Sequence, residues 1–254
     1  MMLPEERRIK IVDILRKNGK AEVHILADKL KVSKMTIRRD LEILEDKRLL
    51  MRTHGGAVYK DIISYEVPYM DKEIVNKNEK ERIGKRAAEF LKEGQSLILD
   101  AGTTCLEVAK HIKAMKDITV ITNDIKIVME LFKYTNIRLF CTGGIVQENV
   151  GALIGRHAEL FIQSFNVDYA FIGVTSVNSN YSVSTPTAEK AYLKRLMINN
   201  ANKSVLLADH SKFNKTSFSK VCNIDEVNIL ISDIELKDNI KKDLERFETK
   251  LYFV

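Results

Sequence analysis

Apolar positions in the first sixty residues recur at the three- and four-residue spacing of helices. Ile9, Val12 and Leu15, with Ile11 and Ile14 beside them, form one stripe, which Asn18-Gly19 ends. Val23, Leu26, Ala27 and Leu30 form a second, shorter one. After the turn Lys31-Val32-Ser33, the positions Ile37, Leu41 and Leu44 predict a third helix of about fifteen residues with Ser33 as its N-cap. Leu49, Leu50 and Met51 then begin a strand and Ala57-Val58-Tyr59 return, so Gly55-Gly56 is expected to supply the positive backbone angles of a tight hairpin turn. Three helices and a hairpin predict a winged helix-turn-helix.

From residue 78 the pattern changes to helices alternating with short apolar runs. A helix around Ile83, Ala87, Phe90 and Leu91 precedes a strand from Ser96 to Leu99. Further strands read at Ile118 to Thr122, Ile137 to Cys141, Tyr169 to Gly173, Ser204 to Ala208 and Asn228 to Ser232. Short buried strands separated by helices predict an α/β domain with a mostly parallel sheet covered on both faces. The stretch between the two patterns contains Pro68 and keeps no period. The division expected is therefore a DNA-binding domain at 1–58, a linker at 59–77 and a larger domain at 78–254.

Charge sharpens this division. The chain carries a net charge of +6, and residues 1–58 hold 14 Lys+Arg against 9 Asp+Glu, leaving 27 against 26 for the rest. The excess sits in the first quarter, which points to a polyanion as that segment's partner. Cys105, Cys141 and Cys222 are odd in number and widely spaced, so reduced, mostly buried thiols are expected and no metal site. The charged N-terminus and the lack of a long uncharged apolar run place the expected compartment in the cytoplasm.

In a helix-turn-helix the second helix of the pair enters the major groove, so its outward face needs long donors. With Ile37 and Leu41 inward, Ser33, Lys34, Thr36, Arg38 and Arg39 remain for phosphates or base edges, and Arg52 and His54 on the hairpin for the adjacent backbone. Taken alone, Arg38 and Arg39 also suit a solvated helix face. The run VSKMTIRRDLEILEDKRLLMRTHGGAV resembles the DeoR-family signature, a Val-Ser turn leading to a Thr-Ile-Arg-Arg-Asp-Leu recognition helix and a His-Gly-Gly-Ala wing. The resemblance implies a homo-oligomer, dimer or tetramer, on paired half-sites of double-stranded operator DNA.

Beyond the strand Leu97-Leu99, Asp100-Ala101-Gly102-Thr103-Thr104 runs into a new helix. A glycine, two hydroxyls and a helix N-terminus at a strand's carboxyl end are what a phosphate needs, although the same residues also make an ordinary capped turn. Ile121-Thr122-Asn123 and Cys141-Thr142-Gly143-Gly144 end other strands on the same predicted edge, and Asp209-His210-Ser211-Lys212 adds a cation. Asp100, Asn123 and Glu189 are candidates to grip sugar hydroxyls. There is no P-loop or Gly-x-Gly-x-x-Gly, so no nucleotide and no cofactor is expected. DAGTT, VITN, CTGG, DYAFIGV, STPTAEKAYLKRLMI and LADHSKF are similar to successive landmarks of the DeoR sensor domain, which resembles the sugar-phosphate isomerase and CoA-transferase fold. That resemblance implies that Thr103, Thr104 and Lys212 hold a phosphate while Asp100, Asn123, Glu189, Gly143, Gly144 and Gly173 shape a sugar pocket. This chain has Asn178 to Val183 where many relatives carry a glycine before the Thr-Pro element.

The expected function is thus a repressor of a sugar uptake or catabolism operon, controlled by a phosphorylated sugar. Two other readings stand beside it. A sugar-phosphate isomerase or deaminase would use Asp209, Glu189 and His210 as acid-base groups and Lys212 as electrophile, but has no need of a winged helix. A binder of DNA without a ligand would leave the phosphate-suited loops unused.

Overall fold

The computed structural model describes residues 3–47, 49–59, 63–64 and 66–254. The chain separates into two units, Met1–Tyr65 and Glu66–Val254.

In the first unit, α1 (Pro4–Asn18), α2 (Val23–Leu30) and α3 (Lys34–Asp46) follow the three apolar stripes. Their inward positions Ile11, Val12, Leu15, Leu26, Ile37, Leu41 and Leu44 form one core with Leu50 and Ala57. A strand not expected from the sequence, β1 (Lys20–Glu22), pairs antiparallel with β3 (Gly56–Tyr59), which pairs in turn with β2 (Leu50–Thr53). This third strand changes the role of the hairpin glycines. Neither Gly55 nor Gly56 has a positive φ, contrary to expectation. A Cβ on Gly56 would lie 2.1 Å from the Ala21 carbonyl oxygen, so a side chain is excluded there by the close approach of β1.

The second unit begins inside the segment expected as linker. Of that segment, residues 60–62 and 65 lie outside the described residues, while 66–77 contain α4 (Tyr69–Ile74) and the start of α5 (Lys77–Ala88). Seven strands then build the main sheet: β4 (Ser96–Leu99), β5 (Ile118–Thr122), β6 (Ile137–Cys141), β9 (Val167–Gly173), β12 (Ala201–Leu207), β14 (Ile229–Ser232) and β15 (Lys250–Phe253). Their order is β15-β14-β12-β9-β4-β5-β6, and every neighbouring pair is parallel.

Alternation along these strands feeds two apolar layers. Ile98, Ile121, Ala170, Ile172, Leu206 and Leu230 pack under α8 (Arg156–Gln163), α9 (Ala188–Asn199) and α10 (Asp238–Leu244) through Ile162, Ala191, Met197, Ile240 and Leu244. Leu97, Leu99, Val120, Phe171, Val205 and Leu207 pack on the other face against α5, α6 (Thr103–Ile112) and α7 (Ile125–Leu131) through Ile83, Ala87, Val108, Ile112, Ile127 and Leu131. Two small antiparallel sheets complete the unit. One joins β7 (Ile145–Val146) to β8 (Leu153–Ile154), and the other orders β10 (Ser176–Val177), β11 (Ser182–Thr185) and β13 (Ser219–Asn223). Cys105 and Cys222 are buried thiols and Cys141 is exposed. Among the described residues no helix is long and apolar enough to cross a membrane.

Candidate functional site

On α3, the Ser33 hydroxyl accepts the Thr36 amide at 3.1 Å and lies 2.9 Å from the Thr36 hydroxyl. These two residues close the helix start upon themselves. Ile37 and Leu41 turn into the core, so Lys34, Arg38 and Arg39 stand exposed, and none has a hydrogen-bond or ion-pair partner among the described residues. Arg52 is held on the hairpin, its amide donating to Glu45 Oε1 at 2.7 Å, and His54 is exposed in the turn. What aims the helix is a contact not anticipated from the sequence. The Arg7 guanidinium of α1 donates to both oxygens of the buried Asp40 carboxylate, at 2.5 Å and 3.2 Å, and Arg8 approaches it at 3.5 Å.

In the second unit, the carboxyl ends of the parallel strands bring several of the expected residues together. Gly102 ends the turn after β4 with φ 154° and ψ 162°, a conformation open in practice to glycine alone. Its amide donates to Asp124 Oδ2 at 2.9 Å. Asp124 also caps α7, accepting from the Lys126 and Ile127 amides. Burial outweighs these bonds and pushes its carboxyl up to about 6. Thr103 and Thr104 open α6, both buried, and neither hydroxyl has a partner among the described residues. The Asn123 side-chain amide donates to the Leu153 carbonyl at 3.2 Å and leaves its own oxygen buried without a partner among the described residues.

Asp100 is nearly inaccessible, and its Oδ2 accepts from the Gly173 amide at 3.0 Å and from the Lys194 ammonium. Lys194 also donates to the Gly173 carbonyl at 2.9 Å. Asp100 and Gly173 are thus locked to each other through Lys194, a residue that no sequence signal marked. Asp209 Oδ1 accepts from Asn76 at 2.7 Å and from the Ser211 amide at 3.0 Å, while Lys212 stands 3.7 Å from Oδ2. Burial would raise this carboxyl, but Lys212 and the hydrogen bonds hold it down at about 2.

One turn before Lys194 on the same face of α9, Lys190 is buried and donates to Glu66 Oε2 at 2.8 Å. The other oxygen of Glu66 accepts from Lys72. Burial alone would raise the Glu66 carboxyl, yet Lys190 and Lys72 override it and hold it near 2. Lys72 falls to about 8 through burial, with repulsion from Lys190 and Lys212 added. Lys80 falls to about 8 for the same reason, burial first and then Lys212, and its ammonium donates to the Val75 carbonyl at 2.5 Å. Lysines on helices read from sequence as solvated charges, so nothing in their spacing marked this cluster.

Other expected residues lie at the surface or make contacts of their own. Gly143 and Gly144 follow β6, one of the two edge strands, and are exposed. Glu189 is exposed in the first turn of α9, which the Thr187 side chain caps. In the loop at 178–183, Asn178 Oδ1 accepts from the Asn180 and Ser182 amides, and Tyr181 takes a left-handed φ of 59° with its side chain buried. His210 binds Asp233 through its ring at 2.9 Å and its amide at 2.7 Å, and Arg82 grips both oxygens of the neighbouring Glu235.

Comparison with known proteins adds three findings. A family profile described as "DeoR-like helix-turn-helix domain" matches residues 7–62, and one described as "DeoR C terminal sensor domain" matches 75–234. The HTH-type transcriptional regulator GlpR of Haloferax volcanii is 37% identical over 244 residues, 96% of this chain and 95% of that protein. The HTH-type transcriptional repressor GlcR of Bacillus subtilis is 34% identical over 232 residues, 91% of this chain and 89% of that protein. Among solved structures, a D-ribose-5-phosphate isomerase in complex with phospho-erythronic acid is 15% identical, with a TM-score of 0.40 over 54% of each chain. A likeness of that extent says nothing of function.

Proposed function

The chain belongs to the DeoR family of HTH-type transcriptional regulators, and from that membership we propose that it is a repressor of a sugar uptake or catabolism operon, released from its operator by a phosphorylated sugar. Relatives aligned over more than nine-tenths of the chain are transcriptional regulators, so the isomerase or deaminase reading is set aside. It acts in the cytoplasm as a homo-oligomer, with Lys34, Arg38 and Arg39 of α3 in the major groove of each half-site.

The observation that carries the effector reading is the start of α6. Thr103 and Thr104 keep hydroxyls without a partner among the described residues at a helix N-terminus that follows a strand's carboxyl end, where amide donors and the helix dipole favour an anion. Lys212 supplies a cation, and the Asn123 oxygen, without a partner among the described residues, supplies a buried acceptor for a hydroxyl. A buried acceptor without a donor costs free energy, and a polyhydroxylated ligand removes that cost.

A thermal-shift screen of the purified protein against phosphorylated sugars and their unphosphorylated counterparts tests this reading. A ligand that binds only the folded state raises its melting temperature. The expected result is a rise with a phosphorylated sugar that its unphosphorylated counterpart does not reproduce. Equal shifts for both, or none across the panel, count against a phosphate site.

A further inference from the structure

The hairpin formed by β7 and β8 is stitched to the strand end that carries Asn123. Its register pairs Ile145 with Ile154 and Val146 with Leu153, and the Gln147 amide continues the ladder by donating to the Ala152 carbonyl at 2.8 Å. On the other side of β8, Ala152 bridges to Asp124, and the Leu153 amide donates to the Asn123 carbonyl at 2.7 Å. The Ile125 amide donates to the Gly151 carbonyl at 3.1 Å, and the Tyr69 amide holds the tip through the Asn149 carbonyl at 2.7 Å.

Residues directly opposite each other on antiparallel strands point to the same face. Gln147, Ala152 and Asp124 form such a row across the hairpin. Ala152 packs in a buried cluster with Ala101 and Val150, and Asp124 accepts from the Gly102 amide, so the row faces the turn that starts α6. Gln147 is half-buried, and its side-chain oxygen is buried without a partner among the described residues. Asn123 Oδ1 and the Tyr69 hydroxyl are in the same state, on residues that are themselves 3% and 2% exposed and bonded to this hairpin. The turn has open space beside it, since a Cβ on Gly102 would meet no atom within 4 Å beyond its chain neighbours.

We propose that Gln147 is the sugar-reading residue of the effector site: from the β7–β8 hairpin, its side-chain amide hydrogen-bonds a hydroxyl of the ligand whose phosphate sits at the start of α6. The proposal rests on the reading of the α6 start as a phosphate site and names the residue that tells one phosphorylated sugar from another. A phosphomonoester dianion offers acceptors only, so an acceptor such as Gln147 Oε1 does not serve it. A hydroxyl both donates and accepts, and it suits either end of the amide. A site built to bind a hydroxyl rejects the analogue that lacks it, because the protein's own polar group is then left buried and unpaired. Asn123 stands on the strand end paired with the hairpin, so the two amides border the same side of the α6 turn.

The test uses the full chain, titrated calorimetrically with pentose and hexose monophosphates, their monodeoxy analogues and inorganic phosphate. The parent is expected to bind one sugar monophosphate about tenfold or more tightly than one of its deoxy analogues. Gln147→Met keeps the length of the side chain and removes its hydrogen-bonding groups. It should bind that sugar monophosphate about tenfold more weakly, lose the discrimination at that one hydroxyl, and bind inorganic phosphate within about twofold of the parent. In the parent, amide exchange across residues 147–153 should slow several-fold with the sugar monophosphate and not with inorganic phosphate, a measurement that needs no variant to fold. Discrimination that survives in Gln147→Met, equal losses for sugar monophosphate and inorganic phosphate, or unchanged exchange overturns the proposal, while binding of a sugar monophosphate by the parent still upholds the effector reading. Failure of the parent to bind any sugar monophosphate overturns both.

Discussion

Arg7 on α1 and Asp40 on α3 form a two-point buried ion pair, with Nε 2.5 Å from Oδ2 and Nη2 3.2 Å from Oδ1. Their side chains are 10% and 3% exposed. The pair joins the first helix to the helix that carries Lys34, Arg38 and Arg39, so the acidic residue of the Arg-Arg-Asp-Leu run orients the arginines rather than meeting DNA. Removing one partner leaves a buried charge uncompensated, so Asp40→Ala is expected to destabilise the first unit by about 3 kcal/mol, read by urea unfolding. DNA binding would fall with the fold. Unchanged stability would show that the pair does not hold α3.

Arg38 answers to a different readout. It is exposed and has no protein partner among the described residues, so Arg38→Ala should leave stability within about 0.5 kcal/mol of the parent. Operator affinity should drop by about tenfold or more, measured by fluorescence anisotropy at fixed salt. Binding equal to the parent's would remove Arg38 from the interface.

Asp124 predicts a pH dependence. Burial raises its carboxyl from 3.8 to about 6, so between these values the folded chain binds more protons than the unfolded one. Its contribution to stability is therefore full below the unfolded value and is lost as pH rises through about 6, where each tenfold difference in proton affinity between the two states is worth about 1.4 kcal/mol. Asp124→Asn cannot titrate, and its amide group cannot accept from both Gly102 and the α7 amides as the carboxylate does. The parent's stability advantage over this variant should be larger at about pH 4.5 than at about pH 7.5, measured by denaturant unfolding. A constant difference would mean that Asp124 titrates alike in the folded and unfolded states.

The parts of this molecule that were legible in sequence are those set by apolar periodicity. The strand Ser96–Leu99 has the bounds expected, because a fully buried parallel strand is a continuous apolar run. The stripe Ile37, Leu41 and Leu44 likewise gave α3 and its outward face. Strands β1, β7 and β10 are two or three residues long, too short to show an alternation, and β1 owes its existence to a partner distant in sequence, Gly56 against Glu22, so no local pattern announces them. The site divides in the same way. Gly102, Thr103, Thr104 and Asn123 stand out in sequence because strand ends and helix starts carry local signals. Glu66, Lys72, Lys190 and Lys194 were missed because charged residues are ordinarily exposed, and only tertiary packing reveals that these are buried and paired.

The central claim is that a phosphorylated sugar bound in the second unit controls operator binding by the first. It is tested most directly by selecting the preferred DNA duplex from a random library with the purified protein, then titrating that duplex with and without each phosphorylated sugar. The account predicts that one phosphorylated sugar weakens binding about tenfold or more while its unphosphorylated form does not, and that Thr103→Ala binds the duplex normally but no longer responds. Sequence-selective DNA binding that no phosphorylated sugar alters, or a response that survives intact in Thr103→Ala, would contradict it.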